Sequence, residues 1–161
     1  MTRFQWPVLV VPALLLGWGT ETLPGASLTT AFAGQESVPL RLDLRTDHPV
    51  YAVGEPVELT LGVTNPGPDP ISVTAPSSQL YDFIVLKEGR EVWRWSLGRL
   101  FAAALTQLTI PPGGTRAFSE RWDQRDRDGR PVTPGNYVVM GILIDGEQVG
   151  LTPRHLPITI R

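Results

Sequence analysis

Few residues in this 161-residue chain are of a type that could do chemistry. The two histidines, His48 and His155, lie far apart in the sequence. No serine sits in a Gly-x-Ser-x-Gly turn, and nothing pairs a nucleophile with a base. Cysteine is absent, which removes disulfides, thiolate zinc sites and thiol nucleophiles together. Asp123, Asp126 and Asp128 precede Gly129, and clustered carboxylates suit a hard cation such as calcium. Their spacing does not alternate regularly, no glutamate closes the loop, and Arg121, Arg125, Arg127 and Arg130 interleave with the acids. The expectation is a solvated, self-neutralising loop. We therefore expect no enzyme, no catalytic residue, no metal and no cofactor.

Trp93 and Trp95 share one face of a strand, with Arg94 on the other. Such a pair is either a carbohydrate platform or part of a core. Tyr81, Phe83 and Val85 alternate on a neighbouring segment, and large aromatics supply much of a sandwich core, so core is the better reading. Asp82 and Ser96, at strand ends, either satisfy nearby backbone groups or orient a loop used in binding.

The elements that position these residues are strands. Leu40, Leu42 and Leu44 alternate with Arg41, Asp43 and Arg45; Leu59, Leu61 and Val63 alternate with polar neighbours. Period-two alternation gives each segment one buried and one wet face. Further strands are expected at residues 71–75, 81–87, 91–96, 105–110, 115–122, 136–144 and 156–160. Sixteen glycines and 16 prolines punctuate them. Asp145-Gly146 is a two-residue hairpin signal, and Pro153 and Pro157 suit an edge strand or bulge. Residues 97–105 are the sole helix-like piece. Pro134-Gly135-Asn136-Tyr137 places a tyrosine just after a turn and at the start of a core strand, as in the tyrosine corner of immunoglobulin-like sandwiches. The fold class expected is all-β: an antiparallel, immunoglobulin-like β-sandwich.

A net charge of −2 with 19% charged residues gives no electrostatic reason for nucleic acid or an anionic membrane as partner. Residues 1–33 differ from the rest. Arg3 precedes the apolar run PVLVVPALLLGW at residues 7–18, and Ala31-Phe32-Ala33 is a small-x-small pattern. The run is shorter than the ~20 residues of a membrane-spanning helix. The expected organisation is a signal peptide over 1–33 and one domain over 34–161, exported from the cytoplasm, with no membrane span in the mature chain and a monomeric state.

One series of residues is more specific. Ser78-Gln79-Leu80-Tyr81-Asp82-Phe83-Ile84-Val85 is followed by Gly89-Arg90-Glu91-Val92-Trp93-Arg94-Trp95-Ser96 and Phe101. Pro112-Gly113-Gly114, Trp122-Asp123, Gly129 and Pro134-Gly135-Asn136-Tyr137 come after. The series resembles the BsuPI family, named for an intracellular proteinase inhibitor of bacilli, over residues 57–143, most of the expected mature domain. The resemblance implies an immunoglobulin-like fold and a serine protease as protein partner. A substrate-like inhibitor needs an exposed, fairly rigid loop, and two segments qualify. Residues 96–101 offer Arg99, Leu100 or Phe101. Residues 125–132 offer Arg125, Arg127 or Arg130 to a trypsin-like pocket. The alternative is a structural or assembly module of the cell envelope, without inhibitory activity.

Overall fold

A computed structural model describes residues 40–146 and 150–161. The segment expected to be a signal peptide lies outside them. Ten strands follow in chain order: β1 (Arg41–Thr46), β2 (Val50–Tyr51), β3 (Val57–Thr64), β4 (Ile71–Ala75), β5 (Tyr81–Lys87), β6 (Arg90–Arg94), β7 (Thr106–Ile110), β8 (Thr115–Trp122), β9 (Gly135–Leu143) and β10 (Arg154–Ile160). The described residues contain no α-helix. The 97–105 segment, read as helix-like, is a turn and an irregular run instead.

The strands form a three-stranded sheet in the order β1-β3-β8, a five-stranded sheet in the order β2-β10-β9-β5-β6, and the ribbon β4-β7. Every pairing is antiparallel except β2 with β10. Alternation sets which side chains go inward. Val57, Leu59, Leu61 and Val63 of β3 are buried in turn, as are Tyr137, Val139 and Leu143 of β9. Both sets join one hydrophobic cluster with Phe83, Val85, Ile158 and Ile160. The two larger sheets therefore face each other across a shared core. They pack tightly at Gly141, where a Cβ would stand 3.0 Å from methyl carbons of both Leu44 and Leu61. Each fully buried Leu, Val or Phe contributes about 1.5–3 kcal/mol, and this core carries the fold without covalent bracing.

The ribbon closes one end of that core. Asn65, at the end of β3, is buried and donates through Nδ2 to the carbonyl oxygens of Asp69 and Ile110, while its Oδ1 accepts from the Gly67 amide. Val73, Leu108 and Ile110 of the ribbon belong to the same cluster as the sheets.

Tyr137 behaves as its position after Pro134-Gly135 predicts. Its ring is buried and its hydroxyl donates to the Thr133 carbonyl, four residues upstream. Lys87 completes this corner: Nζ donates to Thr133 Oγ1 at 2.6 Å and lies 5.0 Å above the Tyr137 ring centre.

Three details depart from the expectations. β2 is only two residues long and was not foreseen. β6 ends at Arg94, because the chain turns off there: the Trp95 amide still donates to Phe83 O, but Leu97 N donates back to Arg94 O. β9 and β10 are not joined by a two-residue hairpin. Leu151 is buried in the core and its amide donates to Gly146 O, and β10 begins only at Arg154. Pro157 falls in the part of β10 that β2, paired only with Thr159 and Ile160, does not reach.

Candidate functional site: two loops at opposite ends of one strand

The two candidate loops, one after β6 and one after β8, lie beside opposite ends of β5. Ser96 is bonded to Asp82 near the start of that strand, whereas Lys87, at its end, reaches Thr133 and Pro134 beside the second loop. About 20 Å of strand separates the two ends.

The loop at residues 96–105 is built on Asp82. This carboxylate is 1% exposed and accepts four hydrogen bonds. Oδ1 takes the amides of Phe83 (2.9 Å) and Ser96 (3.2 Å); Oδ2 takes Ser96 Oγ (2.6 Å) and Arg94 Nη1 (2.9 Å). That fills the acceptor capacity of an ionised carboxylate. Arg94 is itself shared with Glu91 at 2.7 Å, and that bond, against opposing burial and with help from Asp82, raises its pKa above the ordinary guanidinium value.

Trp95 supports the next part. Its ring stacks on Tyr81 at 4.5 Å, and Tyr81 stacks in turn on Phe118 at 4.4 Å. The Arg99 guanidinium lies 4.6 Å over the Trp95 ring, and Arg99 Nε donates to Trp95 O at 2.9 Å. Phe101 leans on Trp95 at 5.7 Å. Beyond it, Ser78 and Ala102 exchange two bonds: Ser78 N to Ala102 O, and Ala102 N to Ser78 Oγ.

Leu100 stands between these anchors and touches none of them. It is 100% exposed, and Leu97 and Leu105 nearby are 55% and 79% exposed. Three of the five exposed large hydrophobic side chains among the described residues thus fall in one short loop.

The loop at residues 125–130 is organised differently. Asp126 Oδ1 accepts the amides of Asp128 and Arg130, both at 2.9 Å, and Arg125 Nη1 donates to Gly129 O at 2.7 Å. Arg130 pairs with Asp128, Arg121 with Asp123, and Arg127 with Glu91 at 3.7 Å. The acids and arginines spend their charges on one another. Gln124, buried at the loop's base with a positive φ of 52°, donates to Ala52 O and Glu55 O and accepts from Gly54 N. Nothing in a single Gln flanked by charges marks such a long-range tie in the sequence.

Neither tryptophan offers a sugar platform. Tyr81 stacks on Trp95 and the Arg99 guanidinium lies over its ring, while Trp93 leans on Trp122 within the core's margin. His48 is exposed, with Nδ1 3.0 Å from Asp47 Oδ2, and His155 is exposed on β10. Among the described residues no helix is long and apolar enough to cross a membrane.

The family model for BsuPI, described as an intracellular proteinase inhibitor, matches residues 44–148, well over half of the chain. The chain belongs to the BsuPI family. This membership corrects the expectation of export, since the family is named for an intracellular inhibitor and points to the cytoplasm. The expectation rested on residues 1–33 alone, which lie outside the described residues.

No curated protein matches the chain by sequence. Among solved structures, the sporulation control protein Spo0M of Bacillus subtilis is similar at 21% identity and a TM-score of 0.46, over 76% of this chain and 49% of its own. The CARDB domain of the PF1109 protein of Pyrococcus furiosus is similar at 15% identity and a TM-score of 0.45, over 76% of this chain and 87% of its own. The alkylpurine DNA glycosylase AlkC of Pseudomonas fluorescens is similar at 18% identity and a TM-score of 0.46, over 76% of this chain. This chain spans only 30% of AlkC's length.

Proposed function

We propose that this BsuPI-family protein is a non-catalytic, immunoglobulin-like sandwich that inhibits a serine protease inside the cell, through the loop at residues 97–101 with Leu100 as the side chain entering the protease's primary pocket. One observation carries the reading: Leu100 is wholly exposed while its neighbours Arg99 and Phe101 fold back onto Trp95.

A protease grips a substrate side chain that is free to enter its pocket, and Leu100 is the most exposed of the loop's large apolar side chains. Burying it removes a full leucine side chain from water, about 1.5–3 kcal/mol. The loop is already fixed at Ser96, Arg99 and Ala102, so binding avoids about 0.5–1.5 kcal/mol of ordering per immobilised side chain. Leucine favours an apolar pocket, as in subtilisin-like or chymotrypsin-like enzymes, over an acidic trypsin-like one. The arginines at 125–130 support the reading less, because they are engaged with Asp128, Gly129 and Glu91.

The test is to titrate subtilisin-like and trypsin-like serine proteases with the full chain. Saturable inhibition of the first kind is expected, weakened about 100-fold or more by Leu100→Asp with an unchanged melting temperature. Full protease activity at large molar excess of the chain would overturn the proposal and send the search to other protein partners.

A further inference from the structure

We infer that Asp82 is the positioning residue of this loop: its buried carboxylate holds the loop's entry so that residues 97–101 present a shape a protease can grip but cuts only slowly. The inference rests on the inhibitory reading of the same loop and adds what makes it more than a cleavable segment.

Asp82 lies on β5, not in the loop, and is nearly inaccessible. It cannot touch a partner. Two of its four hydrogen bonds nevertheless go to one loop residue, Ser96, through both the amide and the hydroxyl. The other two fix the carboxylate itself: the Phe83 amide from its own strand and the Arg94 guanidinium from β6. Glu91 holds Arg94 from the far side. Ser96 is thereby pinned to two strands of the five-stranded sheet at the point where β6 stops. Immediately before it, Trp95 stacks on Tyr81 and carries the Arg99 guanidinium over its ring.

From Leu97 to Phe101 the described backbone bonds are two, Leu97 N to Arg94 O and Arg99 N to Ser96 O, before Ala102 meets Ser78. Both return to the pinned end. The geometry of the exposed stretch therefore depends on Ser96 staying where Asp82 holds it. A protease must open a loop into an extended strand to cut it efficiently, and a loop fixed at both ends resists that opening. The residues of the tryptophan-rich motif, Tyr81, Asp82, Arg94, Trp95 and Ser96, are then the frame of the site, while the contacting residue stands outside the motif.

The experiment exposes the full chain to catalytic amounts of subtilisin and follows cleavage by mass spectrometry, scoring cuts within residues 97–101 against cuts elsewhere. Protease activity is read in the same mixtures. Asp82→Asn is isosteric but replaces one carboxylate oxygen with an NH2 donor, which must face either the Phe83 and Ser96 amides or the Arg94 guanidinium. Ser96→Ala removes one hydroxyl, and Ser96→Thr keeps it. The expected result is a rise of tenfold or more in loop-specific cleavage for Asp82→Asn, a smaller rise for Ser96→Ala, wild-type behaviour for Ser96→Thr, and melting curves that stay cooperative. Loop cleavage at the wild-type rate in both Asp82→Asn and Ser96→Ala would overturn the inference. Should Asp82→Asn fail to fold, the Ser96→Ala and Ser96→Thr pair decides alone. A wild-type loop that resists cutting while the protease runs at full speed, with Ser96→Ala readily cut, would keep the positioning role and sink the inhibitory reading.

Discussion

The Tyr81 hydroxyl donates to Glu120 Oε1 at 2.5 Å, joining β5 of one sheet to β8 of the other beneath the aromatic stack that supports Trp95. The bond crosses from the five-stranded to the three-stranded sheet at the end of the sandwich that carries the exposed loop.

Burial first, and then the neighbouring Glu120 carboxylate, push the Tyr81 phenol well above its ordinary pKa. The folded state therefore holds this proton more tightly than the unfolded chain does. Its contribution is complete below the ordinary tyrosine value near 10 and is lost as pH rises from there toward the folded value. Melting temperature should be flat between about pH 7 and 9 and should fall above about 10. Tyr81→Phe should lose less stability over the alkaline interval. Tyr51, whose phenol is also raised by burial and by Asp47, leaves it some slope. Equal alkaline slopes in the two proteins would refute the assignment.

Two glycines in facing strands give opposite expectations. At Gly141 a Cβ would press on Leu44 and Leu61 at 3.0 Å, inside the core, whereas at Gly62 nothing lies nearer than 3.8 Å. Gly141→Ala should cost about 1–3 kcal/mol through overpacking. Gly62→Ala should be neutral or stabilise by about 0.4–1 kcal/mol. Urea denaturation of the two variants compares them directly, and a neutral Gly141→Ala would mean the sheets part more easily than their spacing implies.

On the proposed inhibitory reading, Leu100 sets which protease is held. Leu100→Arg should shift inhibition from enzymes with apolar pockets toward trypsin-like ones, while stability changes by less than about 0.5 kcal/mol, since the side chain packs against nothing. Inhibition constants against one enzyme of each kind measure this. Unchanged constants for both would place the primary contact elsewhere.

The strands were largely legible because alternation leaves a strong mark: β4, β5 and β8 lie where residues 71–75, 81–87 and 115–122 predict them. The tyrosine corner was legible for the same reason, since a turn and a core strand adjoin in sequence. β2 was not, because two residues cannot display a period and its pairing with β10 spans most of the domain. The hairpin signal at Asp145-Gly146 runs into residues outside the described ones, and the burial of Leu151 in the core beyond them is a tertiary demand that local turn chemistry does not encode. In the candidate site, the loop and the Asp82–Ser96 pair could be singled out from sequence. That Arg99 and Phe101 fold back while Leu100 does not could not, because three large side chains in a row carry no periodic signal.

Leu100 has no obligations within its own molecule, and this shapes how such a protein can change over generations. A substitution there disturbs no packing, so on the proposed inhibitory reading a single codon would exchange the specificity of the loop while the frame of Asp82, Trp95 and Ser96 stays as it is. Adaptation to a new protease would begin at this one position, and the cost to folding would be close to nothing.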